Sequence, residues 1–139
     1  MGTEIKVWQV KGDSLTPLDD TMVTAGRKET EDLEKWILTE PTILGDDIIV
    51  IGSQVPTRSG PLDLLGIDFE GNTVIVELKR DMIPREAVAQ AIDYASDVAS
   101  WDIPRLSEAC QALHDQPLEE FLGEHLPDDV ALDALTLNQ

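Results

Sequence analysis

The chain has 139 residues, with 28 Asp and Glu against 10 Lys and Arg, a net charge of −18 and a pI near 4.1. That balance excludes a protein that grips nucleic acid through a broad basic face, because phosphate affinity comes mainly from Lys and Arg. The single cysteine, Cys110, excludes an internal disulfide and a zinc site built from several thiolates.

Ile5–Val10 mixes apolar and polar residues with β-formers and reads as a first strand. Gly12-Asp13-Ser14, Pro17 and Gly26 then punctuate a loop region. A helix is predicted over Glu31–Leu38, with Thr30 as its N-cap, Leu33, Trp36 and Ile37 on one face, and acids in its first turn. Pro41 ends it. Ile48–Ile51 and Leu62–Phe69 read as strands, and Glu70-Gly71-Asn72 as the turn into a strand at Thr73–Lys79. Pro84 opens a helix near Arg85–Ser100, whose Val88, Ala91, Ile92, Ala95, Val98 and Ala99 form an apolar stripe suited to packing on a sheet. Pro104, Pro117 and Pro127 divide the helical pieces Arg105–His114 and Leu118–His125, and the tail Val130–Leu137 has no clear stop signal. This order describes an α/β or α+β sandwich.

The length suits one domain with a real core, and a hydrophobic fraction of 42% with mean hydropathy −0.13 fits a soluble globular protein. No apolar run approaches a membrane span, and Met1-Gly2-Thr3-Glu4-Ile5-Lys6 lacks a signal-peptide pattern, so the cytoplasm is the expected compartment. Residues 1–80 carry 15 acids against 8 bases, and residues 81–139 carry 13 against 2. Arg58, Lys79, Arg80 and Arg85 make the only local basic cluster. Cys110 reads as a packed thiol, Asp68 as a solvated acid beside its turn, and His114 and His125 as solvated or capping residues near helix C-termini.

The chemistry concentrates in Leu62-Asp63-Leu64-Leu65 and Val76-Glu77-Leu78-Lys79-Arg80. Side chains alternate across a strand, so Glu77 and Lys79 share a face. A carboxylate and an ammonium on an otherwise apolar strand carry a desolvation cost unless each finds a partner. A divalent cation is one such partner, and a salt bridge between Lys79 and an acid is the other.

Asp63 followed by Glu77-Leu78-Lys79 resembles the PD-(D/E)xK nuclease signature. The wider wording, Gly60-Pro61-Leu62-Asp63-Leu64-Leu65 with Val76-Glu77-Leu78-Lys79-Arg80, is similar to the nuclease domain of NucS-type (EndoMS) endonucleases and their RecB-like relatives, over about Glu29 to Trp101. The resemblance implies a restriction-endonuclease-like fold, with a mixed central sheet flanked by helices over residues 1–103 and an acidic helical extension of the same domain over 104–139. It implies Mg²⁺ or Mn²⁺ on Asp63, Glu77 and the backbone carbonyl of Leu78, with Lys79 orienting water or neutralising charge. The acid that this family brings from its first helix is assigned to Glu31, with Glu34 as the alternative. Gln90 and Tyr94 resemble a Gln-x-x-x-Tyr element that borders the active site and contacts DNA or the lysine, and Gly52–Thr57 resembles the loop before the metal strand.

The implied activity is metal-dependent endonucleolytic cleavage of DNA, and RNA stays open as a substrate. Arg58, Arg80, Arg85 and Tyr94 are the DNA-contact candidates. The charge implies weak DNA binding by this chain alone, with an additional domain or a partner protein supplying positive surface; assembly as a homodimer stays open. Two rivals fit the charge better: a catalytically idle nuclease-fold module that binds proteins, and an acidic DNA mimic.

Overall fold

The computed structural model describes residues 8–17, 26–28, 32–79 and 84–137. Strands β1 (Trp8–Lys11) and β2 (Ser14–Pro17) form a separate, exposed antiparallel ribbon turning at Gly12, whose φ is 57°. The expected first strand is thus one arm of a hairpin, and the start of the expected loop is its turn and second arm. Residues 5–7 of that expectation lie outside the described residues.

Three strands form the main sheet in the order β3 (Ile48–Thr57), β4 (Gly60–Asp68) and β5 (Thr73–Val76). All their pairings are antiparallel, whereas a mixed sheet was expected. The connections explain this: short turns join consecutive strands, and a parallel pair would need a long crossover. β3 runs on through Gly52–Thr57, the segment expected as a loop, with a register shift between Val50 and Gly52. β5 stops at Val76, so Glu77–Lys79 lie just beyond regular pairing.

Both sheet faces are covered, which is why these strands are apolar at adjacent positions. Ile49, Ile51, Leu65 and Ile67 pack with Tyr94 and Val98 of α2 (Arg85–Val98), Leu106 and Cys110 of α3 (Ile103–His114) and Leu122 of α4 (Leu118–His125). Val50, Leu64 and Leu78 pack with Ile37 of α1 (Glu34–Thr39) on the other face. Residues on both sides of position 103/104 therefore share one core. Burial pushes the Cys110 thiol up to about 11, so it packs as an inert apolar group.

Helix α2 is rotated from the expected orientation. Ala87, Tyr94 and Val98 are buried, whereas Val88 and Ile92 are 56% and 64% exposed and Ala95 and Ala99 also face out. The aromatic ring of Tyr94 fills the space above the sheet, and that choice turns the smaller apolar stripe to solvent.

Helix α3 lies along edge strand β3 and satisfies two of its carbonyls. Arg105 Nη2 donates to the Pro56 carbonyl at 2.7 Å, and His114 Nε2 donates to the Val50 carbonyl at 2.9 Å. His114 and His125 stack on either side of Phe121, with ring centroids 3.8 and 4.1 Å apart, and His125 Nδ1 meets the Phe121 carbonyl of its own helix. His114 is thus a cross-element tie and His125 a C-terminal cap. Asp102 caps α3 by accepting from the Arg105 N–H.

Gly52 marks how closely α3 and β3 approach. A Cβ there would meet Val55 Cγ2 at 2.6 Å and Ala109 Cβ at 3.4 Å. Gly52→Ala should therefore destabilise the fold by about 1–3 kcal/mol in urea unfolding. An unchanged midpoint would show that the contact yields freely.

Candidate active site

Two strand pairings assemble the site. The partners Ser53–Leu64 and Val55–Leu62 flank Gln54 and Asp63, setting them opposite each other. The partner pair Leu64–Val76 brings the next step of each strand, Asp63 and Glu77, side by side. Leu62 packs in one core cluster and Leu64 in the other, so the regular alternation of β4 breaks at Asp63. Opposite it, Gln54 has φ of 48°. A left-handed conformation at a non-glycine residue costs about 1–2 kcal/mol, and such strain is often stored at functional positions.

The carboxylates are held individually. Asp63 Oδ2 accepts from the Leu78 N–H at 2.8 Å, which ties β4 to the chain just past β5. Asp63 Oδ1 accepts from Gln54 Nε2 at 3.2 Å, and the same nitrogen donates to Glu34 Oε2 at 2.8 Å. Glu34, on the first turn of α1, is 6% exposed, and its Oε1 accepts from the Ser53 hydroxyl. Glu77 is paired through Oε1 with Lys79 Nζ at 2.9 Å, with side chains 9% and 31% exposed. Glu77 Oε2 is buried and has no hydrogen-bond partner. An unsatisfied buried carboxylate oxygen costs more than the ~1–3 kcal/mol of a neutral polar group. It marks a place where an electropositive group belongs.

These residues suit a hard divalent cation, since every donor is oxygen. Among the described residues, no three His, Cys, Asp or Glu side chains lie close enough together to hold an ion as they stand. Asp63 on β4 and Glu77 just past β5 occupy neighbouring positions, and their oxygens are of the kind that Mg²⁺ or Mn²⁺ takes together with several waters.

The other sequence candidates fall as follows. Glu31 and Arg80 lie outside the described residues, whereas Glu34 reaches the cluster. Tyr94, expected to contact DNA, is 1% exposed in the main core, and its hydroxyl accepts from Gln90 Nε2 at 2.7 Å. Gln90 is half-buried, and Arg85 is exposed at the start of α2. Asp68, expected as a solvated acid, closes its own turn by accepting from the N–H groups of Glu70 and Asn72 and from the Asn72 amide. Sequence reasoning took Ser53 and Gln54 only as part of a cleft loop and missed their bonds to Glu34 and Asp63; a glutamine opposite the key aspartate is visible only once the register is known.

It also missed Asp97, which pins the β3–β4 turn. Its Oδ1 receives Arg58 Nε and Nη2 at 3.2 and 3.1 Å, and its Oδ2 accepts from the Ser59 N–H at 2.9 Å. Arg58 remains 82% exposed while Asp97 is 8% exposed, so a buried anchor holds an exposed guanidinium. Burial is the largest single influence and pushes the Asp97 carboxyl up. The hydrogen bonds from Ser59 and Thr57 and the charge of Arg58 together outweigh it and leave the carboxyl below its ordinary 3.8. The stabilisation from a lowered carboxyl is complete above the unfolded value and lost as pH falls through the folded one. Asp97→Asn should therefore lower the melting temperature by a steady amount from about pH 5 to 7, and the gap should shrink as pH falls further below 3.8. A gap independent of pH in thermal melts would contradict this.

The comparisons with known proteins fall on this same region. The family model of the endonuclease NucS C-terminal domain matches residues 29–100, just over half of the chain. The endonuclease NucS of Aeropyrum pernix is 41% identical over 68 residues, covering 48% of this chain and 26% of that protein. Those of Methanopyrus kandleri and Pyrococcus abyssi are each 30% identical, over 76 and 67 residues, covering 55% and 48% of this chain and 29% and 27% of theirs. The chain thus spans under a third of the length of these relatives. No solved structure matches it. The matched segment contains Glu34, Gln54, Asp63, Glu77 and Lys79, and the chain belongs to the endonuclease NucS C-terminal domain family.

Proposed function

We propose that this chain is a restriction-endonuclease-like nuclease domain that hydrolyses a DNA phosphodiester with water as nucleophile and Mg²⁺ or Mn²⁺ as cofactor. The observation that supports this best is the buried, unpartnered Oε2 of Glu77 beside Asp63, in a chain of an endonuclease family. Asp63, Glu77 and the Leu78 backbone carbonyl are the residues that would hold the ion, and Glu34 is the acid from the first helix. A bound divalent ion lowers the pKa of a water and stabilises negative charge on the phosphate.

The remaining roles belong to the chain's own side chains. Lys79 is paired with Glu77 and 31% exposed, and its proposed role is to orient the water and offset charge on the phosphate. Gln90 borders the substrate, and buried Tyr94 acts as a positioning residue that fixes its amide. Arg58 and Arg85 are exposed and available to the DNA backbone, with Arg80 assigned the same role from sequence. At a net charge of −18 the isolated chain holds DNA weakly, so a further domain or a partner protein supplies the remaining positive surface. A cytoplasmic role in DNA repair is part of this proposal. Among the described residues, no helix is long and apolar enough to cross a membrane.

Nicking of a mixed panel of DNA substrates at low salt with Mn²⁺ tests the assignment. Glu77→Gln and Lys79→Ala should each reduce nicking about a hundredfold or more, the usual effect of removing a group that stabilises transition-state charge. Metal-dependent nicking unchanged in both variants would place the activity elsewhere. Failure to nick under any condition would favour an interaction module or DNA mimic acting through the acidic surface.

A further inference from the structure

Gln54 has a part in the site that neither the motif nor the family match assigns. Its carboxamide nitrogen lies 2.8 Å from Glu34 Oε2 and 3.2 Å from Asp63 Oδ1, so one NH₂ group bridges two carboxylates. Both partners are acceptors when ionised, which fixes the NH₂ end of the amide toward them. Gln54 reaches this place from a left-handed backbone conformation opposite Asp63. Gln54 also lines a cavity of about 290 Å³ between β3 and α3, together with Ser53, Pro56, Arg105, Glu108 and Ala112. Glu77 Oε2, buried and unpartnered, lies on the next strand beside Asp63.

We propose that the Gln54 amide is the cation's stand-in in the metal-free protein. Two carboxylates drawn together in a partly buried site repel each other unless positive charge or donated hydrogen lies between them. The half-positive NH₂ group supplies that at the point where Glu34 and Asp63 converge. A divalent ion held by these acids would compete with the amide for the same oxygens, so ion binding would require the amide to let go of them. The site thereby keeps its acids gathered without an ion, at the expense of some ion affinity. This inference rests on the nuclease reading of the site.

The test compares the 139-residue chain with Gln54→Leu, which keeps the volume but removes both hydrogen bonds. After chelation, Gln54→Leu should melt at a lower temperature than the parent, because its two acids lose their bridge. In calorimetric titration with Mn²⁺ it should bind the ion about tenfold more tightly, since no charge-accepting hydrogen bonds must be broken first. Equal melting temperatures in chelator would overturn the bridge. Equal or weaker Mn²⁺ affinity in the variant would overturn the stand-in, and a weaker one would mark Gln54 as a ligand. Asp63→Asn separates the two readings: absence of Asp63-dependent Mn²⁺ binding in parent and variant alike overturns the nuclease reading together with the stand-in.

Discussion

The hydrogen bond from the Leu78 N–H to Asp63 Oδ2 joins the two halves of this site. β5 stops pairing at Val76, so without that bond the Glu77–Lys79 segment would leave the sheet unguided. With it, Leu78 drops into the core against Val50, Leu64 and Ile37, and Glu77 is left beside Asp63 with most of its carboxylate out of water. A single aspartate thus closes the ladder and fixes the position of its acidic neighbour. The cost is a collection of buried charge that the fold satisfies incompletely, as the orphaned Glu77 oxygen shows.

The surrounding elements support that arrangement. α1 delivers Glu34 from one sheet face, while α2, α3 and α4 build the larger core on the other. Asp97 of α2 holds the β3–β4 turn, and α3 ties down the Pro56 and Val50 carbonyls of β3. The strand carrying Gln54 is therefore fastened at its turn and along its outer edge.

Much of this was legible in the sequence where the determining contacts are local. The spacing of Glu77 and Lys79, the Glu70-Gly71-Asn72 turn and the helix Leu118–His125 behind Pro117 all follow from neighbours within a few residues. The pairing of Asp63 with the Glu77 segment follows from a short hairpin. What was not legible depends on distant partners: Gln54 meets Glu34 across 20 positions, and Asp97 meets Ser59 across 38. The orientation of α2 failed for a related reason. Its apolar stripe placed Val88 and Ile92 with Val98 against the sheet, but the sheet surface took Ala87 and Tyr94 with Val98.

The proposal sets acids of the central strands around an ion in a chain whose net charge is −18, so locating that ion decides the matter most directly. Crystals grown with Mn²⁺ and measured at its absorption edge would show where the ion lies. The account predicts one dominant anomalous peak per chain, about 2.0–2.6 Å from oxygens of Asp63 and Glu77, with the Gln54 amide turned away. Peaks scattered over the acidic surface, with none between those two side chains, would contradict it.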